Sequence, residues 1–231
     1  MPINYEPIDA TTDVATTRTL LHEVIPLTGS IVSGTYGVFP NDENIKNYSH
    51  GMFQSVYDYP FLSSSANHIF DLTVGYDETS ARSGSASVQN SKKINMYNQM
   101  SQVLLGYTGS ANEVRRFESD LTLDGTGTMK ETIFVNFSRL LSKDEIKKGS
   151  FSITVKTGSY FGPAPSYITG GNATYTDSAA SETQGTLNTV GGDYGILSGT
   201  QGIGGVVFYQ AGLAILTASI FRSGSAVPSA P

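Results

Sequence analysis

The chain has 231 residues, a formal net charge of −6 and a pI near 5.0, with charged residues at 15% and apolar ones at 39%. It contains no cysteine, which excludes disulfide frameworks, thiolate zinc sites and thiol nucleophiles. The acidic balance without a basic run argues against a nucleic-acid partner, and no apolar run reaches the roughly 18 residues of a membrane-spanning helix, so no membrane insertion is expected.

Polarity comes instead from 28 Ser and 24 Thr, beside 25 Gly and 13 Tyr, a composition suited to strands joined by many turns. The opening residues Met1–Glu6 show neither the basic nor the apolar region of a secretion signal. Residues 1–20 read as an extended N-terminal arm, polar and β-branched over Asp9–Thr17, either free or lying on a neighbouring subunit. Residues 21–39 carry apolar groups broken by Gly29, Gly34 and Gly37, hence short strands or loops. An aromatic-rich stretch follows, with Tyr48, Phe53, Tyr57, Tyr59 and Phe61, and its polar start at Asn41–Asn44 is a candidate cap for a short helix. Ile69–Tyr76 alternates as a strand, and Ser80–Ser87 is a loop. The spacing of Met96, Met100, Val103 and Tyr107 predicts the principal helix at about 91–105, with Ser91 as N-cap and Gly106 just past its end.

Two half-buried strands are predicted next, Glu131–Arg139 and Ser150–Thr157, from strict alternation of Ile133, Val135, Phe137 and of Phe151, Ile153, Val155. Between them Ser142 and Glu145 match a capping box, giving a short capped helical turn at about 143–148. Residues 158–204 are laden with turn signals, including Gly162-Pro163, Gly170-Gly171, Gly191-Gly192 and Gly204-Gly205, and predict a projecting excursion at about 160–200. Val206–Tyr209 and Leu213–Thr217 form a hairpin apolar on both faces, which places it in a core or a subunit interface. Ser223–Pro231 reads as a flexible C-terminal tail. The fold class is α+β and strand-dominated: a mainly antiparallel sheet or sandwich with one principal helix, in a single domain over 21–222.

Motifs for chemistry are sparse. His22, His50 and His68 lack any metal-ligand spacing, and Ser, His and Asp occur without a nucleophile elbow. Asp120–Thr128 reads as a tight Asp-Gly turn, since it lacks both the alternating ligands of a calcium loop and the Asp-Thr-Gly order of an aspartic dyad. Gly202-Ile203-Gly204-Gly205 is no dinucleotide fingerprint, and the sequons at Asn47, Asn136 and Asn172 carry no weight without a secretion signal. Glu113, Glu118, Asp120 and Glu131 are the acids a glycosidase pair would draw on. Lys92, Lys93, Lys143, Lys147 and Lys148 sit at element ends. Arg115 and Arg116, flanked by Glu113 and Glu118, suit a surface ion-pair network or an inter-subunit contact. The interface candidates are therefore Arg115, Arg116, Val206, Phe208, Leu213 and Ile215; no catalytic, cofactor or metal residue is assigned. Abundant Tyr and Phe with few charges match a surface that meets other protein surfaces.

Three stretches resemble structural proteins of tailed-bacteriophage virions, in particular marine T4-like contractile-tailed phages: Lys93–Gly106, Phe134–Phe151 and Gly205–Leu216. They cover a quarter to a third of the chain. The resemblance implies a non-enzymatic virion protein of tail, baseplate or connector type, partnered by copies of itself and other virion proteins, and it implies no catalytic residue. The alternative from a different class is a carbohydrate-binding or adhesin-type β module, in which Tyr-rich loops stack on sugars.

Overall fold

The computed structural model describes residues 44–84, 88–106, 114–119, 126–138, 145–156, 172–178 and 190–221. The N-terminal arm, the 21–39 strands, the Ser142 cap, the Gly170-Gly171 turn and the C-terminal tail lie outside the described residues.

Nine strands form one antiparallel sheet: β1 (Ile45–Asn47), β2 (Gln54–Tyr57), β3 (His68–Tyr76), β4 (Glu131–Phe137), β5 (Ser152–Lys156), β6 (Asn172–Thr176), β7 (Tyr194–Gly199), β8 (Gly202–Phe208) and β9 (Leu213–Thr217). Their order is β1-β2-β3-β4-β9-β8-β7-β6-β5. The chain thus walks across the sheet to β4, crosses to the far edge at β5, and walks back until β9 pairs with β4. The strand-dominated class with one principal helix, α1 (Val88–Leu105), is what the sequence led us to expect. The strongest alternating pair, β4 and β5, are not neighbours, however. Five strand spacings separate them, about 24 Å in a flat sheet. Yet Phe137 at the end of β4 meets Phe151 just before β5 edge to face, 5.6 Å between centroids. The sheet is therefore strongly curled, and one of its faces is concave.

Alternation sorts the side chains between two cores. Val135, Val207, Ala214, Leu216, Tyr175 and Val155 fill the concave face, with Ile146 and Phe151 of the crossing segment packed on them. Phe134, Val206, Phe208, Leu213 and Ile215 fill the other face, beneath α1. Helix and sheet approach closely at Gly75, where a Cβ would lie 2.6 Å from the Phe134 ring and 3.0 Å from Tyr97 Cβ. Only a residue without a side chain fits there.

The helix itself departs from its expected pattern. It begins at Val88, so Ser91 lies inside it, and its buried face is Tyr97, Ser101, Leu104 and Leu105, while Val103 is 67% exposed. The expected stripe is one residue out of phase. Its true face carries polar groups that are buried because they are bonded: the Tyr97 hydroxyl donates to Met129 O at 2.9 Å and accepts from Phe117 N–H at 3.0 Å, and Ser101 Oγ donates to Arg115 O. The far end matches the expectation, with Gly106 at φ 77° donating to Gln102 O. The last carbonyls also find donors, Leu104 O from Gly191 N–H and Leu105 O from Arg115 Nη1; this satisfies groups a helix end leaves open.

Three further expectations are corrected. Residues 45–47 form β1, so the polar run at Asn41–Asn44 does not open a helix over them. Residues 145–148 are not helical: Ile146 N–H donates to Tyr209 O and Lys147 O closes a turn with Ser150. The 160–200 stretch is not simply a projection, since β6 and β7 run through it within the sheet and bury Tyr175, Tyr194 and Leu197. Its glycines misled because several are strand positions under large rings. A Cβ on Gly204 would lie 2.5 Å from the Tyr175 ring, and one on Gly195 would lie 1.9 Å from the Tyr209 hydroxyl oxygen. Glycine in a strand marks such close approach as readily as a turn.

Candidate functional site

Among the described residues, side-chain chemistry gathers at the β1–β2 hairpin and the start of α1. The hairpin loop carries Tyr48, His50 and Phe53. Tyr48 and His50 stack with centroids 5.1 Å apart and planes 7° from parallel, and Phe53 leans on both at 5.0 Å. Lys46 Nζ lies 5.1 Å from the Tyr48 ring centre, a cation–π distance. From the helix, Lys92 Nζ donates to His50 O and Lys93 Nζ to Met52 O, both at 3.1 Å. Met52 O also accepts the Thr73 hydroxyl. Burial, and next the adjacent Lys92 charge, pull the Lys93 ammonium below the usual lysine range. A cleft of about 230 Å³ opens here, lined by Asn47, Tyr48, Phe53, Gln54, Thr73 and Lys93 among others.

Behind the hairpin a polar chain crosses β2 and β3. Ser55 pairs in register with Asp71; its Oγ donates to Asp71 Oδ1 at 2.5 Å and lies 3.3 Å from the Tyr48 hydroxyl. The same Oδ1 meets His68 Nε2 at 2.8 Å. A bulge between Val56 and Tyr57 shifts the register beside His68, and bulges re-aim side chains in this way. Ser, Asp and His thus come together, but in the wrong order for nucleophilic catalysis. A base must sit between nucleophile and carboxylate, and here the carboxylate sits between serine and histidine. Burial, followed by the neighbouring Tyr48, raises the Tyr57 phenol above its ordinary value.

The residues singled out from sequence are otherwise engaged in holding the fold. Arg116 Nε pairs at 2.8 Å with Asp77, a buried carboxylate that also accepts the Thr79 amide at 2.8 Å. Arg115 caps α1. Of the two placements open to Val206, Phe208, Leu213 and Ile215, the structure gives the core: all four are buried beneath the helix. Glu131 is bound by Ser80 and Arg82, and Glu118 is buried where it bridges Thr128. That bridge, with Ser119 N–H donating to Gly127 O at 3.1 Å, brings together the two ends of the Asp120–Thr128 turn; Asp120 itself and Glu113 lie outside the described residues. Lys148 reaches Asp193 at 2.6 Å. No group of three or more potential metal ligands occurs among the described residues.

Sequence reasoning passed over Lys92 and Lys93 as helix-end charges. They converge on His50 and Met52 from about forty positions away, and no local signal announces that meeting. No protein family, curated protein or solved structure matches the chain.

Proposed function

We propose that the chain is a non-enzymatic structural subunit of a virion, of phage tail, baseplate or connector type, that assembles with copies of itself and with other subunits. The resemblance of Lys93–Gly106, Phe134–Phe151 and Gly205–Leu216 to such proteins supports the virion setting. The observation that carries the assembly reading is the end strand β5. It pairs with β6 on one side only, and no described residue pairs with its outer side. Soluble proteins blunt such edges with charges, proline or bulges. Over Ser152–Val155 this edge has none of them: Ser152 and Thr154 are exposed, and Ile153 and Val155 turn inward. The single charge of β5 is its last residue, Lys156, and an edge uncharged over four of its five residues accepts a strand from another subunit.

Light scattering across a concentration series tests the reading. The chain is expected to form a defined oligomer, and Ser152→Lys with Thr154→Lys to disperse it while leaving the melting curve in place. A wild-type chain that stays monomeric at its solubility limit, or an oligomer indifferent to both lysines, would overturn the proposal.

A further inference from the structure

We infer that the cleft between the β1–β2 hairpin and α1 binds an acidic saccharide, holding a carboxylate or sulfate on Lys93, which lines the cleft, and on Lys92, bound to the adjoining loop, with the sugar ring beside Tyr48 and Phe53. The first argument is charge. In a chain of net charge −6, Lys46, Lys92 and Lys93 converge on one loop, and among the described residues none of them has a carboxylate within ion-pair distance. The four ion pairs found among the described residues all lie elsewhere. Three cations gathered without a counter-charge among the described residues form a site that an anion completes.

The second argument is unused donors. An ammonium carries three N–H bonds, and Lys92 and Lys93 each spend one on a loop carbonyl. Those two bonds fix the ammonium groups against the hairpin and leave the rest for a ligand. His50 Nδ1 accepts the Met52 amide at 3.0 Å, which holds the loop that both lysines contact. The lowered proton affinity of Lys93 agrees with a cation held without an anion.

The third argument selects a saccharide over a bare anion. Gln54 Nε2 donates to Asn47 Oδ1, which leaves Asn47 Nδ2 and Gln54 Oε1 for hydroxyl groups, one donor and one acceptor side by side. Tyr48 and Phe53 supply apolar ring surface next to them. Amides for hydroxyls, rings for C–H faces and lysines for the acid group together match one sugar residue bearing a charge. This site is independent of the β5 edge, so either reading stands or falls alone.

The test is calorimetry on the full chain with four probes: an oligogalacturonate, a sulfated dextran oligosaccharide, neutral dextran and poly-glutamate. Saturable, salt-sensitive binding of the uronate, the sulfate or both is expected, and their relative affinities identify the acid group. Lys92→Gln with Lys93→Gln should weaken that binding on the order of tenfold or more, as expected for lost charge-assisted bonds. Lys93→Arg should retain most of it. Lys46→Gln, at the rim of the hairpin, supplies a second variant whose melting curve should match wild type while affinity falls. Absence of binding to both acidic saccharides, binding unchanged in the lysine variants, or poly-glutamate binding as tightly as the saccharides would each overturn the inference.

Discussion

The two ends of the curled sheet are fastened by opposite means. At the β5–β6 end the fastener is buried. Asp177, which follows β6 directly, is fully shielded from solvent. Its Oδ1 accepts Phe151 N–H, and its Oδ2 accepts Gly149 N–H, each at 2.8 Å; the Tyr209 hydroxyl donates to Oδ2 at 2.9 Å. This one carboxylate ties the crossing segment, β6 and the β8–β9 turn together over the concave core. At the β1–β2 end the corresponding groups are half-exposed. Lysines, a histidine and an aspartate hold the hairpin through bonds that water competes for. Polar networks strengthen in a dry environment and become costly when broken there, so the two ends should differ sharply in what a single substitution does.

The largest expected effect is at Asp177. Asp177→Ala strands two amides and one phenol inside the protein, and should cost roughly 3–5 kcal/mol, since each bond to a charged group is worth about 1.5–3 kcal/mol and buried orphans add to the loss. Asp177→Asn, which keeps one good acceptor, should cost less. Urea unfolding of both variants measures this, and a loss below about 1 kcal/mol for alanine would abolish the contrast between the two ends.

Much of this architecture was legible in the sequence, and the parts that were not have physical reasons. β4 and β5 announced themselves by alternating apolar residues and β9 by a run apolar on both faces, and Gly106 because a helix end needs a positive φ there; β4 proves buried on both faces, with Phe134 beneath α1 and Val135 in the concave core. The face of α1 was missed by one position because Tyr97 and Ser101 enter the core through hydrogen bonds, which a hydropathy pattern does not register. β7 and the first half of β8 were obscured because Gly195, Gly204 and Gly205 make room for rings and backbone instead of marking turns, whereas the second half was read correctly as a hairpin with β9. Beyond the β8–β9 hairpin, strand order was not legible: the crossing from β4 to β5 brings Phe137 to Phe151, a contact that exists only once the sheet has curled. The same holds for the candidate site, whose lysines and aromatic loop lie on separate elements. Asp177 carried no signal either, because its three partners come from two other segments.

A smaller effect, at Tyr209, sharpens the comparison through pH. Burial first, then the bond to Asp177 and that carboxylate's charge, raise the Tyr209 phenol well above its ordinary value; burial does the same for Tyr97. A tyrosine whose folded pKa is raised contributes stability that is intact below the unfolded value of about 10 and drains away as the pH climbs toward the folded value, because the unfolded chain sheds its proton first. Stability should therefore fall steeply above about pH 10. Tyr209→Phe should lower stability at neutral pH by about 1.5–3 kcal/mol, through loss of one bond to a charged group, and should flatten the alkaline fall. Urea midpoints at neutral and alkaline pH for both proteins read this out. An alkaline slope identical in wild type and variant would mean that the phenol is not held as the geometry shows.

The smallest effect belongs to the open end. His68 and Asp71 are 2.8 Å apart, with side chains 31% and 28% exposed. Solvent at that level screens an ion pair to about 0.2–1 kcal/mol. Asp71 also keeps its bond from Ser55 when the histidine is gone, so no buried acceptor is stranded. His68→Gln should thus lower stability by less than about 1 kcal/mol. A double-mutant cycle with Asp71→Asn isolates the pair from the tilted packing of His68 on Tyr57, whose ring centroids lie 5.5 Å apart. If the coupling energy stays small while His68→Gln alone is clearly destabilising, ring packing and not charge holds this corner. If the coupling instead approaches the loss seen at Asp177, the hairpin end is as tightly bound as the buried end, and solvent exposure is not what separates them.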